Sequence, residues 1–220
     1  MHSAAPVRTY GPQRGRLGAA SADALLRLGP LLSVPVEPRP LDVEAAFGRR
    51  APLLLDLGCG DGEATAALAA VDPHRDVLAV DVHRPGLARL LRRVEEQGLP
   101  NVRVAEGDAL VVLADMLGPG ALDEVRVLFP DPWPKARHHK RRLVTPSFAA
   151  LVASRLRPGG RLHVATDWPD YAEQVLEVVG ASPDLDGGAV PRPDRPATRF
   201  ERRALREGRP VVDVVAVRRA

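Results

Sequence analysis

Short apolar runs alternate with longer amphipathic stretches from about residue 53 to residue 180. The apolar runs predict five buried strands, at residues 53–57, 77–80, 102–104, 125–129 and 162–165. Between them, apolar residues recur at helical spacing and predict helices at residues 63–70, 86–97, 146–155 and 171–179. Strands that alternate with helices are typical of a doubly wound, mostly parallel sheet, so the sequence predicts an α/β fold.

The two ends of the chain differ from this central pattern. Residues 1–20 are rich in glycine, proline and arginine, and a helix expected at 22–28 precedes a proline-punctuated linker. We therefore predict a basic N-terminal arm and linker over residues 1–45 and one folded domain over residues 46–220. Near the C-terminus, a stretch rich in Asp, Gly, Pro and Arg covers residues 182–197. Strands expected at 198–204 and 211–217 would form an antiparallel pair that closes the sheet.

Composition narrows the classes of protein to which the chain can belong. A length of 220 residues suits one α/β domain with small additions. The net charge of +3 is only mildly basic, so any nucleic-acid site must be a local patch. A single cysteine, Cys59, excludes an internal disulfide and a multi-cysteine zinc site. We see no signal-peptide core and no long apolar span, and we expect a soluble, cytoplasmic protein that does not enter membranes.

A glycine-rich segment, Asp-Leu-Gly-Cys-Gly-Asp-Gly at residues 56–62, lies at a predicted strand-to-helix turn. Glycines at such a turn let the backbone pass close to a ligand, so Gly58 and Gly60 are candidate cofactor contacts. The spacing is not that of the dinucleotide fingerprint, which requires a glycine where this chain has Glu63. This spacing disfavours a nicotinamide dehydrogenase.

Three carboxylates accompany three successive predicted strands: Asp56, Asp81 and Asp108. An acidic residue at the end of the second strand, here Asp81, is placed to bind both ribose hydroxyls of an adenosine. The set resembles that of the Rossmann-like methyltransferases that use S-adenosylmethionine. In the purely structural alternative, Asp56 caps a helix and Asp108 is an N-cap.

The segment Phe-Pro-Asp-Pro-Trp-Pro-Lys at residues 129–135 holds one carboxylate, Asp131, between two prolines. Proline restricts its own φ and the residue before it, so this path is stiff and extended. A cluster of cations and histidines follows, which we call the basic run: Arg137, His138, His139, Lys140, Arg141 and Arg142. It either holds a polyanion or is a solvated loop. The two histidines lack a third ligand at suitable spacing, so we expect no metal site.

The chain resembles the bacterial tRNA (guanine-N7)-methyltransferases from about residue 50 to the C-terminus. The resemblance is carried by residues 130–135 with the basic run, by Thr166-Asp167 with Tyr171, and by residues 198–201. More loosely, the arginine-rich segment at residues 8–17 resembles the N-terminal arm of that family. The chain departs from the family pattern at Asp56 and Asp81, where glutamate is usual. Each aspartate side chain is one methylene shorter than the glutamate that is usual at that position.

The resemblance implies a function and a set of site residues. The implied reaction moves a methyl group from S-adenosylmethionine to N7 of a tRNA guanine, in the variable loop at position 46. The implied active-site acid is Asp131, which is also a cofactor contact with Asp56, Asp81 and Asp108. The implied substrate contacts are Lys135, Asp167, Thr198, Arg199, Phe200 and Glu201. The basic run would bind RNA.

Two other functions remain open at this point. A small-molecule methyltransferase would have an apolar substrate pocket, and it leaves the basic run unexplained. A non-catalytic RNA-binding protein with a relic glycine loop would bind no cofactor. The sequence does not indicate an oligomeric state.

Overall fold

A seven-stranded sheet organises the part of the chain that this computed structural model describes, residues 9–10 and 17–220. The strands are β1 (Leu53–Leu57), β2 (Asp76–Asp81), β3 (Val102–Glu106), β4 (Leu122–Leu128), β5 (Leu156–Thr166), β6 (Leu185–Val190) and β7 (Val212–Arg218). Their order is β3-β2-β1-β4-β5-β7-β6. The first five strands in this order pair in parallel, whereas β7 pairs antiparallel with both β5 and β6. The chain reverses its direction of winding between β1 and β4, which is where ligands bind in such folds.

Eight α-helices connect or flank these strands in the described part of the chain. They are α1 (Ala19–Leu32), α2 (Val43–Phe47), α3 (Glu63–Val71), α4 (Arg84–Gln97), α5 (Ala109–Val111), α6 (Pro146–Arg155), α7 (Pro169–Gly180) and α8 (Arg199–Arg206). A π-helix covers Val112–Met116, and a 3-10 helix covers Ala136–Arg141. None of the helices described is long and apolar enough to cross a membrane.

The core lies on both faces of the sheet. Leu53, Leu55 and Leu57 of β1 pack into one apolar cluster with α6 and α7. Leu54 faces the other cluster, which is formed with α1, α3 and α4. Side chains of a strand alternate between the two faces, and a strand covered on both faces is apolar throughout. This arrangement explains why the apolar runs predicted the five parallel strands.

The predicted antiparallel pair exists, but the position predicted for its outer strand was wrong. Residues 198–204 form most of helix α8, and the outer strand is β6, inside the stretch at 182–197. Glycines depress strand propensity, which hid β6 from the sequence pattern. Gly187 is nevertheless required there, because a Cβ at this position would lie 2.1 Å from the carbonyl oxygen of Val215.

The N-terminal segment is more helical than predicted. Helix α1 runs through Pro30, which the sequence pattern assigned to a linker. It packs on α4, where the guanidinium of Arg27 donates to the carboxylate of Glu95 at 2.5 Å. The division of the chain at residue 45 stays a prediction.

Candidate active site

A cavity of about 400 Å³ opens at the carboxyl ends of the first four strands. Seven of the predicted site residues line it: Gly58, Gly60, Asp81, Asp108, Asp131, Arg199 and Phe200. Others, although described, do not: Asp56, Lys135, Asp167, Thr198, Glu201 and all of the basic run. Thr9 and Tyr10 of the N-terminal arm also line the cavity. The structure thus brings together residues from the glycine loop, three strand ends and α8.

The glycine loop after β1 depends on backbone angles that glycine adopts most readily. Gly58, Gly60 and Gly62 have φ angles of 75°, 63° and 69°, all in the left-handed region. The loop also lies against the start of α4, because a Cβ on Gly86 would come within 1.9 Å of the Gly60 carbonyl oxygen. The G-x-G-x-G spacing therefore reflects three left-handed residues at alternate positions, and Gly58 and Gly60 leave backbone exposed to the cavity.

Asp81 and Asp108 follow β2 and β3 and are held by backbone N–H groups. The carboxylate of Asp81 accepts from the N–H groups of Gly60 and His83, each at 2.7 Å. Asp108 accepts from the N–H of Leu110 at 2.9 Å and so caps the short helix α5. The N-cap geometry proposed as the structural alternative is present for Asp108, yet Asp81 and Asp108 both line the cavity. Each oxygen has more than one lone pair, so both carboxylates can also accept from a ligand.

Asp56 is placed differently from these two carboxylates. It lies within β1, is buried, and accepts from the hydroxyl of Thr65 in α3 at 2.6 Å. Burial raises the pKa of Asp56, and the bond from Thr65 opposes that rise. The residue lines a smaller adjoining cavity of about 30 Å³. The contact therefore braces α3 beneath the glycine loop, and direct cofactor contact by Asp56 stays a prediction.

Backbone strain marks two residues of the proline-rich segment, one on each side of Asp131. Phe129 and Trp133 have φ angles of 56° and 47°, which non-glycine residues rarely adopt. Each such residue costs on the order of 1–3 kcal/mol and persists only where its surroundings impose it. The indole N–H of Trp133 donates to the carbonyl of Thr9 at 3.1 Å, and the guanidinium of Arg141 lies 3.5 Å from the indole ring centre. The exposed Asp131 is thus held at the cavity between two strained residues.

The basic run divides into exposed and buried cations. Arg137 and Lys140 are exposed on the 3-10 helix. The side chain of Arg142 is only 2% exposed, and it donates to the Pro132 carbonyl and to a carboxylate oxygen of Asp170, both at 2.8 Å. These contacts tie the proline-rich segment to α7. Desolvation and the surrounding cations lower the pKa of His138, so it adds little charge at neutral pH.

Residues 198–201 have two roles: some line the cavity, and others hold helix α8 in place. The ring of Phe200 stacks on Phe129, with centroids 6.4 Å apart. The hydroxyl of Thr198 caps α8 by accepting from the N–H of Glu201. Glu201 itself is 1% exposed and points away from solvent. Asp167, outside the cavity, accepts from Arg209 at 2.9 Å.

The sequence pattern did not predict a buried network of charged residues centred on Arg195. Its side chain is 0% exposed and donates to Glu201 at 2.7 Å and to Asp213 of β7 at 2.8 Å. His163 of β5 pairs with the same Asp213 at 2.7 Å. Burial alone would raise the pKa of Asp213, but the hydrogen bonds from His163 and Arg195 outweigh it and lower the pKa to about 2. The network fixes α8, and with it Phe200, against the sheet.

Comparison with known proteins identifies the family to which the chain belongs. A family described as "Putative methyltransferase" matches residues 50–214. A tRNA (guanine-N(7)-)-methyltransferase from Streptomyces avermitilis is 50% identical over 215 residues, covering 95% of this chain and 74% of that protein. The chain belongs to the tRNA (guanine-N(7)-)-methyltransferase family. The family resemblance inferred from the proline-rich segment and the basic run is therefore confirmed.

Solved structures extend this family assignment to the fold. The 16S rRNA methyltransferase KamB is similar with a TM-score of 0.58 at 20% identity, covering 83% of this chain and 95% of that one. Phosphoethanolamine N-methyltransferase 2 from Haemonchus contortus, solved with S-adenosyl-L-methionine, has a TM-score of 0.53 at 16% identity, covering 79% and 50% respectively. The predicted Rossmann-like methyltransferase fold is confirmed for this member of the tRNA (guanine-N(7)-)-methyltransferase family.

Proposed function

We propose that this protein transfers a methyl group from S-adenosylmethionine to N7 of a tRNA guanine, at position 46 of the variable loop. The observation that carries the proposal is the position of Asp131. Two strained residues hold this carboxylate at the cavity that the glycine loop also lines. Membership of the methyltransferase family supports the reaction type and the tRNA substrate. A cytoplasmic location is part of the proposal, because tRNA is the substrate that it assigns.

The residues of the cavity fit the cofactor. A volume of about 400 Å³ lies within the range of small-molecule sites. Asp81 is placed to accept from ribose hydroxyls, and Asp108 from an adenine amino group. The left-handed glycines expose backbone where a ligand would pass. When bound, S-adenosylmethionine supplies an electrophilic methyl group on a positively charged sulfur.

The protein's part in the reaction is orientation. Guanine N7 has a lone pair and no proton in guanosine, so methyl transfer requires no general base. We propose that Asp131 accepts from the N1–H and N2–H of guanine, which selects guanine over adenine because adenine has no donor at N1. The same carboxylate would offset the positive charge that develops on the methylated ring. The target base must leave its stack to reach the cavity.

The remaining predicted residues receive different roles in this proposal. Arg137, Lys140 and Arg141 are assigned to tRNA phosphates, together with Lys135 at the edge of the same segment. Arg142 is assigned to positioning, since its guanidinium is buried on protein partners. Thr198 and Glu201 hold α8, so that Arg199 and Phe200 face the substrate.

The proposal is tested by incubating the protein with radiolabelled S-adenosylmethionine and unmodified tRNA, then separating the released nucleosides. We expect 7-methylguanosine as the labelled product. A transcript of the same tRNA with adenine in place of guanine at position 46 should accept no label. Label at another nucleoside, or equal labelling of both transcripts, would overturn the assignment of N7 or of the position.

Replacing the ribose acceptor is expected to weaken cofactor binding. Asp81→Ala should reduce affinity for S-adenosylmethionine by about 1–3 kcal/mol, since it removes a charged acceptor and frees two backbone N–H groups. Isothermal titration calorimetry measures the change. The control is Asp115→Ala, which removes an exposed aspartate outside the cavity and should bind as the parent does. Equal affinities for the parent and Asp81→Ala would remove Asp81 from the cofactor site.

A further inference from the structure

Helix α8 carries four arginines on one face. Arg199, Arg202, Arg203 and Arg206 follow the spacing i, i+3, i+4, i+7, which aligns side chains along a helix. We call this set the arginine stripe. The opposite face is buried, with Glu201 and Ala204 at 1% and 0% exposure. The helix is therefore amphipathic: the four arginines lie opposite its buried face, and Phe200 and Leu205, 42% and 62% exposed, flank them.

The arginines of the stripe remain accessible despite nearby carboxylates. The side chains of Arg199, Arg202 and Arg203 are 48%, 44% and 66% exposed. Their partners Asp61, Glu63 and Glu207 lie at 3.7, 2.5 and 2.8 Å respectively. Exposed ion pairs of this kind contribute little stability and exchange readily. Arg206 is exposed and has no carboxylate within 4.0 Å among the residues that the structure describes.

Helix stability accounts for only part of the stripe. Arg203 and Arg206 lie in the last turn, where the helix dipole favours cations, whereas Arg199 begins the helix, where the dipole disfavours a cation. Cations three and four residues apart on a helix repel one another. The repulsion within the stripe is relieved only in part by its exposed carboxylate partners. A polyanion laid along the helix would relieve it further, and four guanidiniums over about 10 Å of helix suit a run of phosphates.

The stripe lies next to the cavity, on a different side from the basic run. It begins at Arg199, which lines the cavity, and Arg202 pairs with Glu63 of α3. The basic run is tied by Arg142 to Asp170 of α7. Helices α3 and α7 pack on opposite faces of the sheet. Two basic surfaces therefore flank the cavity, one from each side.

We infer that the arginine stripe is a second phosphate-binding surface for tRNA, separate from the basic run. The inference rests on the proposed function, because it requires a tRNA guanine in the cavity. An RNA strand continues in two directions from its target nucleotide. The basic run holds the backbone on one side, and the stripe holds it on the other. Phosphate contacts of this kind supply affinity and register without reading sequence.

The test compares three double variants with the parent. Arg203→Gln with Arg206→Gln removes two cations of the stripe that lie outside the cavity. Arg137→Gln with Lys140→Gln does the same for the basic run. The matched control, Arg50→Gln with Arg157→Gln, removes two arginines, 88% and 55% exposed, at the amino ends of β1 and β5, away from the cavity at the carboxyl ends. Dissociation constants for unmodified tRNA are measured over a series of salt concentrations, with KM and kcat for methylation.

The stripe variant should bind tRNA roughly tenfold more weakly, and the slope of log affinity against log salt should fall by about 1.4–1.8. Its KM for tRNA should rise while kcat and affinity for S-adenosylmethionine stay parental. The control should match the parent. If the parent is active and the stripe variant keeps the parental affinity and slope, the inference about the stripe is wrong but the proposed function stands. Weaker binding with an unchanged slope would have the same meaning. A parent protein that neither binds nor methylates tRNA overturns the proposed function as well.

Discussion

Asp131→Asn is expected to slow methyl transfer by roughly 10²–10³-fold in single-turnover measurements, the scale of losing one well-placed polar contact to the transition state. The substitution preserves size and one carbonyl acceptor but removes the negative charge. The orientation of guanine and the balance of charge on the methylated ring would both be lost in part. Affinity for tRNA should change much less, because phosphate contacts carry most of it.

The matched control for this prediction is Asp186→Asn, at an aspartate that is 78% exposed on the outer strand β6. It should react at the parental rate. Cofactor affinity, measured by calorimetry, should be nearly the same in the parent and both variants. An Asp131→Asn protein that reacts as fast as the parent would show that the strained segment holds Asp131 for a structural reason and not for the transfer of the methyl group.

Much of the fold was predictable because buried parallel strands have a simple sequence pattern. Residues 53–57 were predicted as a strand and form β1, since both faces of that strand are covered by helices. Residues 198–204 were mistaken for a strand, although the sequence carries a helix-start signal. Thr198 and Glu201 have the spacing of a capping box, and the hydroxyl of Thr198 does accept from the N–H of Glu201.

The candidate site was predictable where neighbouring residues in the chain carry the information. The glycine spacing and the prolines around Asp131 are both local signals, and both lie at the cavity. The strain at Phe129 and Trp133 was not predictable, because tertiary contacts impose it. The burial of Arg142 was not predictable for the same reason, because its partner Asp170 lies on α7, far away in the sequence. A run of cations in a sequence does not distinguish those that face solvent from those that hold the loop.

The network around Arg195 shows most clearly what could not be predicted from the sequence. Arg195 lies in a stretch that resembles a low-complexity loop, and its partners are on α8 and β7. No spacing in the sequence connects Arg195 with Asp213 or His163. Only the fold brings them together, in the interior beside Phe129, whose ring lies 5.9 Å from the guanidinium. Buried charges that are fully paired in this way are tolerated only while every partner is present, because the loss of one leaves another charge buried and unpaired.

Arg195→Met is therefore expected to lower the free energy of unfolding by about 3–5 kcal/mol, since it leaves Glu201 and Asp213 buried with fewer partners. Urea denaturation measures the loss. Arg192→Met is the matched control, because Arg192 binds the same Glu201 but is 44% exposed, and it should cost about 1 kcal/mol or less. Arg195→Lys keeps the charge but not the bidentate geometry and should fall between the two.

The pH dependence of unfolding separates loss of this network from loss of packing alone. In the parent, the pKa of Asp213 is lowered to about 2, so its contribution is present above the unfolded pKa of about 4 and is lost as pH falls through 2. Without Arg195 the folded pKa of Asp213 should rise toward the unfolded value, so the variant loses less stability on acidification. The difference in unfolding free energy between parent and Arg195→Met should therefore shrink from pH 5 to pH 2. A difference that stays constant over that range would mean that Arg195 stabilises the fold by filling space and not by pairing with Asp213.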